Sequence, residues 1–134
     1  MIFCTVRIIN KNNMPETTVI NVRLKNIRPE FINLSEWINN PANIYIGRCG
    51  IVFINKKRFP TKSSVWSNPF KIKADSDRNA VLVKYEMYIR DKIEKKECDI
   101  AELVGKKLGC WCSPLPCHGD VLCKIINENA NNVK

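Results

Sequence analysis

Ile2, Cys4, Val6 and Ile8 alternate with Phe3, Thr5 and Arg7, the period of two that marks a strand. Asn10 to Glu16 is rich in turn formers, and Thr17 to Leu24 is rich in β-branched residues, so a second, hairpin-related strand is expected. From 26 to 40 the pattern loosens into a connector, with Ser35-Glu36-Trp37-Ile38 suited to one helical turn. Asn43-Ile44-Tyr45-Ile46 predicts a strand running into Gly47-Arg48. Residues 51–54 and 57–59 predict a small hairpin around Asn55-Lys56, and 61–69 a loop stopped at Asn68-Pro69.

The second half turns to helical spacing. After a possible N-cap at Asp75 or Ser76, the apolar residues Val81, Tyr85, Tyr88, Ile89 and Ile93 recur every three or four positions, one face of a helix. Asp99-Ile100-Ala101-Glu102 opens like a capping box and Gly105 closes a second helix. Leu108 to Cys112 is a short apolar strand. A last helix opens near Cys117 or His118 and buries Val121, Leu122, Ile125 and Ile126. This order predicts an α/β, small Rossmann-like layered domain. It is read as one domain over 1–134: an N-terminal strand pair or extension over 1–42, a core over 43–126, and a frayed tail over 127–134.

No apolar run approaches the ~20 residues of a membrane span, and Met1 to Lys11 lacks the basic leader and cleavage site of a signal peptide. Seven cysteines are then expected reduced, in a cytoplasmic setting, rather than paired. Lys plus Arg number 22 against 13 acids, a net charge of +9, which suits a phosphate-bearing partner. The 15 Lys, 16 Asn and 17 Ile also fit plain codon bias, so position matters more than the total. Between Cys49 and Ala74 lie Lys56, Lys57, Arg58, Lys62, Lys71 and Lys73 with no acid, and Phe53, Phe59, Trp66 and Phe70 are interleaved. That stretch is a candidate nucleic-acid surface, against the simpler reading of a solvated face.

Cys4, Cys49 and Cys98 are scattered and read as buried hydrophobes. Cys110, Cys112, Cys117 and Cys123 crowd around the only histidine, His118. On a strand Cys110 and Cys112 would point the same way, while Cys117 would meet the free N–H groups of a helix N-terminus. Three readings stay open. Cys117 is a thiolate of lowered pKa and the most reactive thiol, with His118 and Asp120 beside it. Alternatively, Cys110, Cys112, Cys117 and His118 hold zinc, a cramped set because all four fall within nine residues. Or the thiols fill core and His118 bonds locally. Cys123 is read as core. Elsewhere, Gly47 permits close backbone approach and Arg48 can grip phosphate at two points. Ser64 and Asn68 can hydrogen-bond, and Trp66 and Phe70 can stack a base or pack.

Together, Tyr45-Ile46-Gly47-Arg48, Ser64-Val65-Trp66-Ser67-Asn68-Pro69-Phe70, Lys84-Tyr85, Gly105 to Cys112 and Pro116-Cys117-His118-Gly119-Asp120-Val121-Leu122 closely resemble the family known as domain of unknown function 4326. That family occurs in phages, large DNA viruses, bacteria and some eukaryotes. The resemblance covers about Asn43 to Ile126, with Ser67 standing where the family more often has Gly or Ala. It implies no established activity. A looser similarity to a second α/β family, in which Glu stands at the position of Cys112, disfavours an obligate zinc.

The expectation is therefore a viral or phage-type protein with a pocket for a nucleotide or nucleotide-derived phosphate. Gly47, Arg48, Ser64, Trp66, Asn68, Pro69, Phe70, Cys110, Cys112 and Gly119 would line it, and Cys117, His118 and Asp120 would carry a hydrolase or transferase step. Whether it is an enzyme stays open. The alternatives are a non-catalytic nucleic-acid-binding module and a protein that engages a host component.

Overall fold

Strand β6 (Lys107–Cys110) is the middle of the structure. It pairs in parallel with β2 (Thr17–Asn21) on one edge and with β3 (Asn43–Tyr45) on the other. A short antiparallel β1 (Thr5–Val6) lies outside β2. The computed structural model describes residues 5–6 and 16–132; the rest of the expected first strand lies outside that range. A strand paired on both edges and covered on both faces must be apolar throughout, and Leu108, Gly109 and Cys110 are all buried.

Successive side chains of the sheet feed two separate cores. Tyr45 joins Val22, Ile27, Leu34 and Trp37 beneath α1 (Leu24–Ile27) and α2 (Leu34–Asn39). Ile44, Ile46, Leu108 and Cys110 face the other way, against α3 (Arg78–Glu94) and α4 (His118–Asn132). The result is an α/β domain of three layers. The connector expected between 26 and 40 proves to be two short helices, with Asn33 capping the second by accepting from Glu36 N–H.

Residues from Thr17 onward are built into the sheet. Four register pairs run from Thr18–Lys107 to Asn21–Cys110, and the fully buried Thr17 hydroxyl donates to Leu103 C=O and accepts from Gly105 N–H. β4 (Val52–Ile54) and β5 (Lys57–Phe59) form the expected hairpin as a separate two-stranded sheet. Asn55 and Lys56 turn it with φ of 54° and 67°, the left-handed pair of a type I′ turn. The segment expected as a second helix is a 3-10 turn, Ile100–Leu103, capped by Asp99. Among the described residues, no helix is long and apolar enough to cross a membrane.

Two expectations are corrected. The tail is not frayed from 127, because α4 continues to Asn132. Buried Ile125 and Ile126 anchor its last turns, and Glu128 takes both of its oxygens to Arg90 Nη2 at 2.9 Å. Cys49 is exposed rather than core, and Cys98 is half-buried; Cys4 lies outside the described residues.

Gly109 faces the α1–α2 core at close range. A Cβ added there would sit 2.6 Å from the Trp37 ring and 2.8 Å from Val22, and neither neighbour has room in a buried cluster. Gly109→Ala should therefore lower stability by about 1–3 kcal/mol, the usual cost of overpacking. Urea unfolding checks this; an unchanged midpoint would mean that Trp37 yields freely.

Candidate functional site

Parallel strands all present their carboxyl ends to one edge, where such folds leave room for ligands. At that edge, between the ends of β3 and β6 and the start of α4, lies a cavity of about 210 Å³. Gly47, Arg48, Asn68 and Phe70 line one side, Cys110, Cys112, Cys117 and His118 the other, with Ile51, Ile72 and Trp111 completing the wall. Eight of the residues expected to form a pocket thus converge. The volume falls below the roughly 300–1,000 Å³ of sites that enclose drug-sized ligands.

Helix α4 begins so abruptly after the proline loop because its first turn caps itself. Asp120 Oδ2 accepts from Cys117 N–H at 2.9 Å, and Asp120 N–H donates to Cys117 C=O. Pro114, preceded by a cis bond, and Pro116 lie between strand and cap. The turn returns the chain so that the sulfurs of Cys110 and Cys117 lie 3.5 Å apart, both buried.

This pairing corrects the expectation that Cys117 carries the lowered pKa. Cys110 is the favoured thiolate: the thiol of Cys117 hydrogen-bonds to it, and backbone bonds from Ser113 and Cys112 help to outweigh the cost of burial. Cys117 is pushed up, first by that same bond to Cys110, then by burial and the charge of Asp120. The helix N-terminus that should have activated it is largely occupied by its own cap.

His118 is the first residue of α4. Its Nε2 lies 2.6 Å from the carbonyl oxygen of Ile46, an acceptor that requires Nε2 to carry the proton. The ring also meets Tyr85 edge-on, centroids 5.2 Å apart, and Tyr85 Oη donates to Trp66 C=O at 2.6 Å. Burial drives the His118 pKa down to about 4, against the pull of the Ile46 carbonyl, and Arg48 adds to the depression. The imidazole is neutral at pH 7, with Nδ1 as its proton acceptor.

Other expected ligand contacts prove to be internal. Arg48 spends Nε and Nη2 on the Asn68 carbonyl at 2.9 and 2.6 Å, and Nη2 also donates to Phe70 C=O. It is first a brace for the 68–70 loop, not an open phosphate clamp. Trp66 is 1% exposed, its Nε1 donating to Glu102, so it packs rather than stacks a base. Ser64 Oγ accepts from Trp66 N–H, and neither Ser64 nor the exposed Pro69 lines the cavity. Gly119 is needed where α4 crosses the sheet: a Cβ would stand 3.0 Å from Val19 and 3.1 Å from Ile46. Among the described residues no three His, Cys, Asp or Glu side chains group to hold a metal, and His118 Nε2 is committed to the Ile46 carbonyl.

Three residues matter at the site that were not among its expected members. Arg78, at the start of α3, donates to Pro116 C=O at 2.8 Å and to Asp75 at 3.1 Å. Burial opposes its charge, but bonds to Asp75 and Cys112 prevail and raise its pKa. It is the cation that reaches Cys112. Asn21, ending β2, donates to the carbonyls of Trp111 and Ser113. Tyr45 Oη accepts from Trp111 Nε1 at 2.9 Å and donates to Arg48 C=O at 2.8 Å. Gly47 must lack a side chain because a Cβ would run into that tyrosine ring. An Asn at a strand end and an Arg in a first helical turn are too common to signal such roles.

The basic stretch is carried by two segments. Lys71 and Lys73 are exposed on either side of the cavity-lining Ile72, whereas Lys56, Lys57 and Arg58 ride on the hairpin. Lys62 is exposed in the loop between them.

Because folding depresses the affinity of His118 for a proton from 6.5 to about 4, the unfolded chain takes up that proton first. The stability that His118 contributes should be full above about 6.5 and fall as pH drops towards 4. The decline down to about pH 5 reports His118, since carboxylates titrate mostly lower and no other histidine exists. Urea midpoints against pH should show this slope, flattened in His118→Asn; an equal slope in both would place the proton elsewhere.

Comparison with known proteins adds the lineage. Residues 32–128 match the model described as "Domain of unknown function (DUF4326)". An uncharacterised 12.4 kDa protein from the nrdA-td intergenic region of Enterobacteria phage T4 is 34% identical over 90 residues, 62% of this chain and 82% of its own. An uncharacterised protein of Acanthamoeba polyphaga mimivirus is 33% identical over 120 residues, 81% of this chain and 80% of its own. No solved structure matches the chain. The match spans the cavity, both thiols and His118, and on that ground this chain belongs to the DUF4326 family.

Proposed function

We propose that this viral-type protein binds a nucleotide or nucleotide-derived phosphate in the cavity at the carboxyl edge of the sheet. One observation carries the reading: an apolar slot beside two buried sulfurs 3.5 Å apart and the His118 imidazole, with cations at its margin. Phe70, Ile72 and Trp111 offer the flat apolar contact that suits a nucleobase. Lys71 and Lys73 are exposed beside Ile72 and suit phosphate, as does Arg78 near Cys112. The small volume favours a single base or sugar-phosphate unit inside, with the remainder of the ligand at the open side.

Covalent chemistry at this site would be hydrolysis or group transfer starting from the Cys110 thiolate. His118 would accept a proton at Nδ1, since Nε2 is committed to Ile46. Asp120 would act indirectly by fixing the cap at Cys117. Free thiols suit the reducing cytoplasm of a host cell.

Calorimetric titration with AMP, GMP, CMP and UMP, each against its nucleoside and inorganic phosphate, tests the binding. At least one mononucleotide should bind more tightly than its nucleoside. Lys71→Glu with Lys73→Glu should weaken it about tenfold, a loss of about 1.4 kcal/mol, while leaving the nucleoside unaffected. Cys110→Ser should retain binding and lose any turnover, and Cys117→Ser should retain part of it. If no mononucleotide binds, the reading fails.

A further inference from the structure

A second concavity of about 500 Å³ lies on the far side of Trp111. It runs between the end of β2 with α1, the 28–34 segment and the β4–β5 hairpin. Its position is meaningful. β2 sends its chain to the α1–α2 face, while its neighbour β6 sends its chain to the α4 face. Where adjacent strands diverge in this way, open parallel sheets leave a crevice for ligands.

We propose that this groove seats single-stranded nucleic acid, at a site separate from the mononucleotide cavity. Leu24, Ile32 and Phe53 wall it and remain 45%, 63% and 65% exposed. Large apolar side chains gathered in this way mark a partner surface. The charged residues lining it are both arginines, Arg23 and Arg28. On the adjoining hairpin, Lys56 and Lys57 are exposed, and the Arg58 guanidinium lies over the Phe53 ring, 4.7 Å from its centroid. Glu36 accepts from Ile32 N–H at 3.1 Å and Glu30 is exposed in the same segment, so the cations of the groove and hairpin, Arg23, Arg28, Lys56, Lys57 and Arg58, outnumber the acids beside them.

Apolar rings within a cationic frame are what unstacked bases and their phosphates require together. A duplex hides its base faces and offers a convex backbone, so a concave apolar groove gains little from it. A free mononucleotide would leave the hairpin lysines without phosphates to meet. Phe53 is the stacking platform. Arg23 has an exposed side chain at the rim, and Arg28 is held there by its own bond from Nε to Ile32 C=O.

Fluorescence anisotropy with labelled single strands of about 12 nucleotides, within the usual span of such sites, tests this on the whole chain. Both DNA and RNA strands are used, with the same sequence as a duplex and polyglutamate as competitors. The single strand should bind, and neither competitor should displace it at equal concentration. Phe53→Ala, at an exposed position that leaves folding intact by circular dichroism, should weaken binding about tenfold, in line with loss of one stacked base. Arg23→Ala should lower the slope of log affinity against log salt by about 0.7. Lys71→Glu with Lys73→Glu should weaken the strand less than Phe53→Ala does, which separates this site from the cavity. Unchanged affinity in folded Phe53→Ala overturns the proposal. So does displacement by polyglutamate, which would make the groove a seat for acidic peptide.

Discussion

β6 is held by ladders on both edges, and everything of chemical interest hangs from its carboxyl end. A strand so fixed cannot slide without breaking two sets of backbone hydrogen bonds, and a slip of one residue would turn Leu108 out of one core and drive Gly109 into it. Cys110 is therefore placed by the sheet. Seven residues later the chain must start a helix, and the prolines with the Cys117–Asp120 cap determine where. The contact between the two sulfurs follows from a rigid strand, a stiff turn and a self-capped helix. No motif for it is needed.

The same geometry decides which group is charged. A helix N-terminus favours an anion, and from the sequence that argument assigns the thiolate to Cys117. Inside the fold, the N–H of Cys117 already serves the Asp120 carboxylate, and that negative charge works against a second one nearby. Cys110, at the end of the strand, receives hydrogen bonds and so becomes the easier sulfur to ionise. His118 obeys the same logic in reverse. Its hydrogen bond to Ile46 favours the charged ring, but burial outweighs one neutral carbonyl and holds the ring uncharged.

The layering, the hairpin around Asn55-Lys56 and the helix with Val81, Tyr85 and Ile89 inward could be read from periodicity and turn chemistry alone. So could the meeting of Gly47-Arg48 with the Cys110–His118 segment, because parallel strands bring their ends together. What could not be read was which polar groups were already taken. Arg48 is spent on carbonyls twenty and more residues away, and Trp66 on Glu102; sequence shows a donor but not its partner. The continuation of α4 was hidden for a related reason. Asn127 to Asn132 is polar and unpromising as helix, and packing of Ile125 and Ile126 together with Glu128 overrides propensity.

Trp111 stands between two concavities and lines both. Its carbonyl is held by Asn21 and its indole N–H by Tyr45, whose hydroxyl in turn holds the Arg48 carbonyl. Any occupant that turns the indole on one side reshapes the wall on the other and pulls on the segment that carries Arg48. Ligands that each turned it would therefore be linked through a single ring. Linkage of that kind is reciprocal: whatever factor one ligand imposes on the affinity of the other, it receives in return.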